Sequence, residues 1–359
     1  MKYLIIRNDG IGDLIVSTPV IKTIRNKDKK SKIYLISSNR NQEYAKILLN
    51  DGFIDYLYIF SGNKFKGYFS LIRELSGIHF DHVLILKASI SNLLFARFLK
   101  SGSIFSIVSI NQYKNKINRY TPPLFLNKFL LNGNEYIDCR NNYEFSTDIH
   151  MSSHFTNLII NLYGGIDFAF NRDYYSSPHL KLEGKKYHNY LRDHHKIDIE
   201  RVIMFHFDEK WDRYDDKPKK LINFIDKLQL KTNTTILISN GMSQNKFENY
   251  LFKNFEFQKK QESKNIFQSN KNKKVFFFDK LKINQLFYIA KLSDLIITPH
   301  GALTHIASIY RVNIIDLISL EKKFFFNKWK SVNNNNVQFD IGDLGSVMEK
   351  TIKYLEVKF

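Results

Sequence analysis

Short apolar runs, each closed by turn-forming residues, recur along the chain. In the N-terminal half they are YLIIR (3–7), KIYLIS (32–37), FIDYLYIF (53–60), HVLILKAS (82–89) and IFSIVSI (104–110). Runs of about four to eight apolar residues suit strands buried on both faces, whereas the stretches 13–26, 41–50 and 90–100 read as helices. The alternation predicts βαβ units built on a parallel sheet.

The rhythm lapses over 111–145, where Lys114, Lys116, Arg119, two prolines and many asparagines predict a long loop or insertion. A helix is predicted over HMSSHFTNLIINLYGGI (150–166), stopped by Gly164 and Gly165. Residues 167 to about 199 are polar and read as an irregular interdomain connection. The pattern then repeats, with strands at RVIMFHF (201–207), TTILIS (234–239), KVFFFD (274–279), LIITP (295–299) and NIIDLI (313–318). Helices are predicted near 217–229, 245–253, 282–292 and 303–310. EFQKKQESKNIFQSNKNKK (255–273) reads as a solvated surface loop, and GSVMEKTIKYLEVKF as an amphipathic closing helix. The expected fold class is therefore α/β, with two doubly wound Rossmann-like domains at 1–175 and 200–340 and a closing helix within 341–359.

Composition agrees with that division. A chain of 359 residues exceeds the usual size of one core, and 43% apolar residues can fill two. Lys and Arg total 54 against 35 acidic residues, a net charge of +19 that attracts nucleic acid, anionic lipid or phosphorylated substrates. An AT-rich genome is an equally good source of the excess Lys, Asn, Ile, Phe and Tyr. The basic residues are spread along the chain with no base-stacking motif, which argues against nucleic acid as the partner. Cys139 is the only cysteine, which excludes an intramolecular disulfide and makes a reducing cytosol the simplest home. No apolar run has the length of a signal-peptide core or a bilayer span, so a soluble cytoplasmic protein is expected.

In open parallel sheets, ligands sit beyond the carboxyl ends of the strands. Two stretches fall there. NDGIGD (8–13) is not the dinucleotide fingerprint, because its third glycine is missing and Asp13 would repel a pyrophosphate. Gly10 and Gly12 instead allow a tight turn with room for a substrate beside Asp13. Asp13 is either a catalytic base or an N-cap aspartate kept ionised by the helix dipole. TPHGALTHIASIY (298–310) joins a strand end to an apolar helix through a small-residue turn, whose amides can cradle a diphosphate. His300, on that turn, is expected to face the ligand, and His305 is either structural or functional. In FHFDEKWDR (205–213), Lys210 is either a phosphate partner or a solvated lysine. SNGMSQ (239–244) is a further strand-end turn. No metal is expected, since no His, Cys or acidic cluster has ligand spacing, and no Walker loop or G-x-S-x-G elbow occurs.

The stretch IIRNDGIGDLIVSTPVIKTIR resembles the R-x-D-x-I-G-D pattern, followed by T-P, of glycosyltransferase family 9, the heptosyltransferase family of bacterial lipopolysaccharide synthesis. LIITPHGALTHIASIYRVNIIDL resembles the same family's D-T-G-x-x-H-x-A segment, with His305 and Ala307 at matching positions. HMSSHFTNLIINLYGGI and FFFDKLKINQLFYIAKLSD resemble its linking and pre-motif helices, so the likeness spans nearly the whole chain. The chain departs from the family at His300, where Asp is common, and at Ala302, where Gly is usual. That departure leaves the donor sugar unassigned.

The resemblance implies a GT-B fold, two Rossmann-like domains facing a central cleft, and an inverting, metal-independent sugar transfer with no cofactor. It implies Asp13 as catalytic base and a nucleotide-sugar donor, ADP-heptose among the candidates. Donor-binding residues would be His300, Gly301, Ala302, Leu303, Thr304 and His305, with Lys210 on the phosphates. The implied acceptor is a lipid-linked oligosaccharide of the lipopolysaccharide or lipooligosaccharide type, at the anionic inner face of the bacterial inner membrane. Alternatives are a nucleotide-sugar epimerase on the same fold, a basic nucleic-acid-binding protein and an inactive paralogue.

Overall fold

The computed structural model describes residues 1–108, 177–208, 218–320 and 323–358, apart from 61–63, 88, 242–245, 261–262, 264 and 331–335. Between 109 and 176 it describes 112–113, 116–117, 136–138, 155, 158–159 and 162–163. Two compact units emerge: Met1–His179 with Asn327–Trp329, and Leu180–Phe326 with Lys330–Phe359.

The first unit is built on β1 (Lys2–Arg7), β2 (Lys32–Ser38), β3 (Tyr56–Phe60), β4 (His79–Ile85), β5 (Lys100–Val108) and the short β8 (Tyr136–Asp138). They form one sheet in the order β3-β2-β1-β4-β5-β8, all parallel. Two small strands, β6 (Gln112–Tyr113) and β7 (Lys116–Ile117), pair with each other. β1 is central, with Ile5 opposite both Leu35 and Leu84. That position explains its uninterrupted apolar run, since both faces are covered. The crossovers are α1 (Ile11–Lys27), α2 (Gln42–Asn50), α3 (Lys64–Leu75) and α4 (Ile90–Arg97). Leu71 and Leu75 of α3 and Leu93, Phe95 and Ala96 of α4 share one core with Leu4, Ile6, Val83 and Ile85. Each of these side chains other than Ala96, fully buried, contributes roughly 1.5–3 kcal/mol. Phe155, Leu158 and Ile159, at helical spacing inside the predicted 150–166 helix, are also buried.

The second unit repeats the plan. Its sheet runs β11-β12-β13-β10-β9-β14-β15-β16. The elements are β9 (Val202–Phe207), β10 (Thr235–Asn240), β11 (Phe257–Lys259), β12 (Ile266–Ser269), β13 (Val275–Phe278), β14 (Leu295–Pro299), β15 (Asn313–Ile318) and β16 (Asn336–Asp340). From β13 to β16 the pairs are parallel, and in chain order the strands read 3-2-1-4-5-6, as in the first unit. Ile203 lies opposite both Ile236 and Leu295, so β9 occupies the place of β1.

Two expectations need correction. The supposed loop 255–273 contains β11 and β12, an antiparallel ribbon on the edge of the sheet. Each contributes one aromatic side chain, Phe257 and Phe267, to a cluster around Phe277 and Phe252. One apolar residue in β11 and the pair Ile266–Phe267 in β12 are too sparse a signal to read from periodicity. The supposed irregular connection at 167–199 holds a helix, Pro178–Asn189, whose apolar stripe is reduced to Leu180 and the helix-packing Gly184. A Cβ on Gly184 would lie 2.6 Å from the Tyr288 ring, so hydrogen is the side chain the contact admits. The predicted closing helix is found at Leu344–Lys358, and β16 precedes it in residues that periodicity left unassigned.

Candidate functional site

At the carboxyl end of β1 the chain turns through Asn8, Asp9 and Gly10 into α1. The organising group is Arg7, whose side chain is only 3% exposed. Its Nε lies 3.2 Å from an Asp9 carboxylate oxygen, and its Nη2 lies 3.3 Å from Asp13 Oδ1. The guanidinium also donates to the Leu86 and Asp13 carbonyls and lies over the Phe155 ring at 5.3 Å. A buried cation needs such partners, because unpaired it would cost several kcal/mol.

Asp13 sits in the first turn of α1 and is 34% exposed. Oδ1 faces Arg7, and Oδ2 accepts from the Gly10 backbone N–H at 3.1 Å. Both oxygens are therefore oriented while the group stays in reach of solvent. Gly10 belongs here for a steric reason: a Cβ would stand 2.9 Å from Asp13 Oδ2. Gly12 lies inside the first turn and is buried, so it is a helix-packing residue and not part of the loop. Thr18 and Pro19 also lie within α1, which runs unbroken from Ile11 to Lys27.

Beside this turn is a cavity of about 330 Å³, walled among others by Asn8, Asp9, Gly10, Ser38, Arg40 and Lys87. Asp13 is not part of its wall. Asn8 of this wall belongs to a polar mesh: Asn8 and Asn92 exchange amide hydrogen bonds of 3.0 and 3.2 Å, and the Tyr68 hydroxyl donates to Asn92 at 2.6 Å. Ser38 Oγ donates to the Asp9 carbonyl at 2.8 Å. Burial pushes the Asp9 carboxyl up to about 6; Arg7 and Lys87 oppose that rise and Asp13 adds to it. Asp9 was missed as a functional candidate. The available signal was a second carboxylate two residues beyond the same strand-end arginine.

The second predicted site lies at the end of β14. Its helix begins at Ala302 and runs to Tyr310, with Gly301 as N-cap. Asp316, on β15 and fully buried, holds the turn together. Its Oδ2 pairs with His300 Nδ1 at 2.8 Å and accepts from Gln338 Nε2 at 3.2 Å, while Oδ1 accepts from Thr304 Oγ1 at 3.1 Å. Thr304 Oγ1 accepts the Gly301 N–H in turn, at 3.2 Å. His300 is thus not presented on an open turn as expected: it is 8% exposed and packs against His305 and Phe326. His305 is equally buried, and Leu303 and Thr304 more so. Gly301 and Ala302 are the partly exposed members of the motif. The first-turn amides of a helix have no intrahelical acceptor, so the turn keeps its electropositive end even with the Gly301 N–H engaged. Asp316 is the residue that sequence reasoning overlooked; a lone carboxylate inside the apolar run NIIDLI must find buried partners.

Lys210 lies outside the described residues. Among the described residues no three His, Cys, Asp or Glu side chains group as metal ligands would, and no helix is long and apolar enough to cross a membrane.

No protein-family model and no curated protein matches the sequence. Solved structures do match, over almost the whole chain. A glycosyl transferase family 9 protein from Veillonella parvula shares 14% identity at a TM-score of 0.66, covering 98% of this chain and 90% of its own. The Escherichia coli heptosyltransferase WaaC, solved with ADP, shares 10% at a TM-score of 0.66, with both chains covered completely. A UDP-GlcNAc 2-epimerase from Methanocaldococcus jannaschii shares 15% at 0.58, covering 98% of this chain and 92% of its own. At such identities the likeness establishes the fold, which is GT-B.

Proposed function

We propose that the chain is a family 9 glycosyltransferase. It moves a sugar from a nucleoside diphosphate donor to a hydroxyl of a lipid-linked oligosaccharide, with inversion and without a metal. The observation that carries this reading is Asp13: a partly exposed carboxylate in the first turn of the helix that follows β1, with one oxygen on Arg7 and the other on the Gly10 amide.

In the reaction, Asp13 takes the proton of the acceptor hydroxyl as that oxygen bonds to the anomeric carbon. The bond from that carbon to the diphosphate oxygen breaks, and the nucleoside diphosphate leaves with the electron pair. A base so positioned contributes about 10²- to 10⁴-fold. The leaving diphosphate is met by the first-turn amides of the Ala302–Tyr310 helix and by Lys210. Asp316 serves this step indirectly, by holding His300 and Thr304 in the turn. Arg40 and Lys87, on the wall of the cavity next to Asp9, suit an acceptor carrying phosphate or carboxylate groups. Such acceptors place the enzyme's work at the cytoplasmic face of a membrane.

A thermal-shift panel of ADP-, GDP-, UDP- and CMP-sugars identifies the donor nucleotide. The matched donor is then incubated with and without a lipid-linked oligosaccharide. Acceptor-dependent release of the nucleoside diphosphate supports transfer. Release, or a change of the sugar, without any acceptor assigns the chain to epimerase-type chemistry instead.

A further inference from the structure

The exposed large hydrophobic side chains are distributed unevenly. In the second unit Leu182, Leu230, Leu320 and Val337 each stand on a different segment. In the first unit four of them gather on two neighbouring helices: Phe69 of α3, 75% exposed, with Ile90 and Leu94 of α4 and Phe98 just beyond its end, the last 69% exposed. Ile90, Leu94 and Phe98 follow one another at i, i+4 and i+8, which places them in a single stripe. The two helices touch directly, through the Tyr68–Phe95 ring contact at 5.3 Å and the Tyr68–Asn92 hydrogen bond. Both bury their opposite faces in the same core. Their outer faces therefore look the same way.

Around this apolar stripe stand Lys66 and Arg73 of α3, Arg97 of α4 and Lys100 of β5, all exposed. Lys66 and Arg73 flank Phe69 at three and four residues' distance, the spacing of one helix face. None of the four cations has an ion-pair partner among the described residues. Glu74 is the one acidic residue on the outer faces of the two helices. A soluble surface normally intersperses both signs and keeps large aromatic residues out. Apolar side chains ringed by uncommitted cations match the two layers of an anionic bilayer, acyl chains beneath phosphates.

We infer that the outer face of α3 and α4 docks on an anionic lipid bilayer, with Phe69, Leu94 and Phe98 entering the interfacial layer and Lys66, Arg73, Arg97 and Lys100 meeting lipid phosphates. α3 and α4 leave the ends of β3 and β4 beside Phe60 and Lys87, which line the 330 Å³ cavity. The two helices thus start beside the pocket assigned above to a lipid-linked acceptor, with Ile90 at the near end of the stripe and Phe98 and Lys100 at its far end. Only that last connection rests on the proposed reaction; docking follows from exposure and charge.

The test uses the full chain and vesicles with neither donor nor acceptor present, so its outcome is separate from that of the transfer assay. Sedimentation is compared with vesicles of phosphatidylcholine alone and of phosphatidylcholine mixed with phosphatidylglycerol. Wild-type protein is expected to bind the mixed vesicles, and to lose binding as salt is raised. The F98S variant and the R97S/K100S variant should each weaken binding about tenfold or more, with thermal unfolding unchanged because these side chains are exposed. In a second arm, tryptophan reports contact: the emission of the F98W variant should shift to the blue on mixed vesicles, and that of L230W, an equally exposed site in the other unit, should not. Equal binding to both vesicle types, unaltered binding by the variants, or equal shifts at 98 and 230 would overturn the proposal. So would a concentration-dependent dimer in sedimentation velocity that F98S abolishes, which would make this face a contact between copies.

Discussion

The two units share one strand order and one chain path, yet they treat the carboxylates at their strand ends in opposite ways. In the second unit Asp316 is fully buried and accepts from His300, Thr304 and Gln338. Its hydrogen-bonding capacity is largely used, and nothing is left for a substrate to exchange a proton with. In the first unit Asp9 and Asp13 share a single guanidinium, and Asp13 remains partly open to solvent. The saturated arrangement suits a rigid seat for a ligand; the contested one suits proton transfer. On the proposed reaction, duplicate scaffolds would divide the labour of binding and chemistry by how completely they satisfy an acid.

The sharpest way to break this comparison is to remove each acid in turn. Asp13→Asn should lower turnover about 10²- to 10⁴-fold while the donor-induced rise in melting temperature stays as in wild type. Loss of donor binding in parallel would move Asp13 to the seat. Asp316→Ala should do the reverse and destabilise the fold by about 3–5 kcal/mol, read by urea denaturation, because three donors lose their acceptor. A cost below about 1 kcal/mol, the level of a surface pair, would show that the turn does not depend on it.

A smaller effect separates the two carboxylates within the first unit. Since the folded chain holds Asp9 up at about 6 against an ordinary 3.8, its protonated form is the one that folding favours. Stability linked to Asp9 is therefore complete below the ordinary value and drains away as pH climbs through about 6. The D9N variant cannot ionise, so it should gain on wild type across that interval and hold a constant difference above it. Denaturant midpoints measured from acid to neutral pH check this; a difference that is flat throughout would show that burial does not hold the Asp9 carboxyl up. Smallest of all, Gly10→Ala should leave melting unchanged while reducing turnover about tenfold, by crowding the oxygen of Asp13 that its amide holds.

What the sequence disclosed follows from how much each element buries. β1, β10 and β14 are covered on both faces, so their apolar runs stand out, and the repeated architecture could be read directly. Elements with few core residues stayed hidden, as Phe257, Ile266 and Phe267 did among lysines and glutamines, or Leu180 in a mostly polar helix whose Leu182 is exposed. The site shows the same division. Asp13 and the 300–305 turn were visible because glycines and strand ends mark places where backbone meets ligand. Arg7 and Asp316 were harder, because their significance lies in contacts with residues distant along the chain: Leu86 and Phe155 for Arg7, His300 and Gln338 for Asp316. No local pattern encodes such pairings.

The antiparallel ribbon of β11 and β12 has an outcome for how this molecule keeps to itself. A parallel sheet that stopped at β13 would leave a row of unpaired phenylalanine backbone as a template for another chain. The ribbon moves that border outward to Gln258 and Lys259, both exposed, where charge discourages a foreign strand from annealing. Because it is spliced in between the helix Lys246–Phe255 and β13, its length can vary over generations while the order of the inner six strands stays as it is. The rim of the sheet is a place where this architecture can be edited without rewriting its centre.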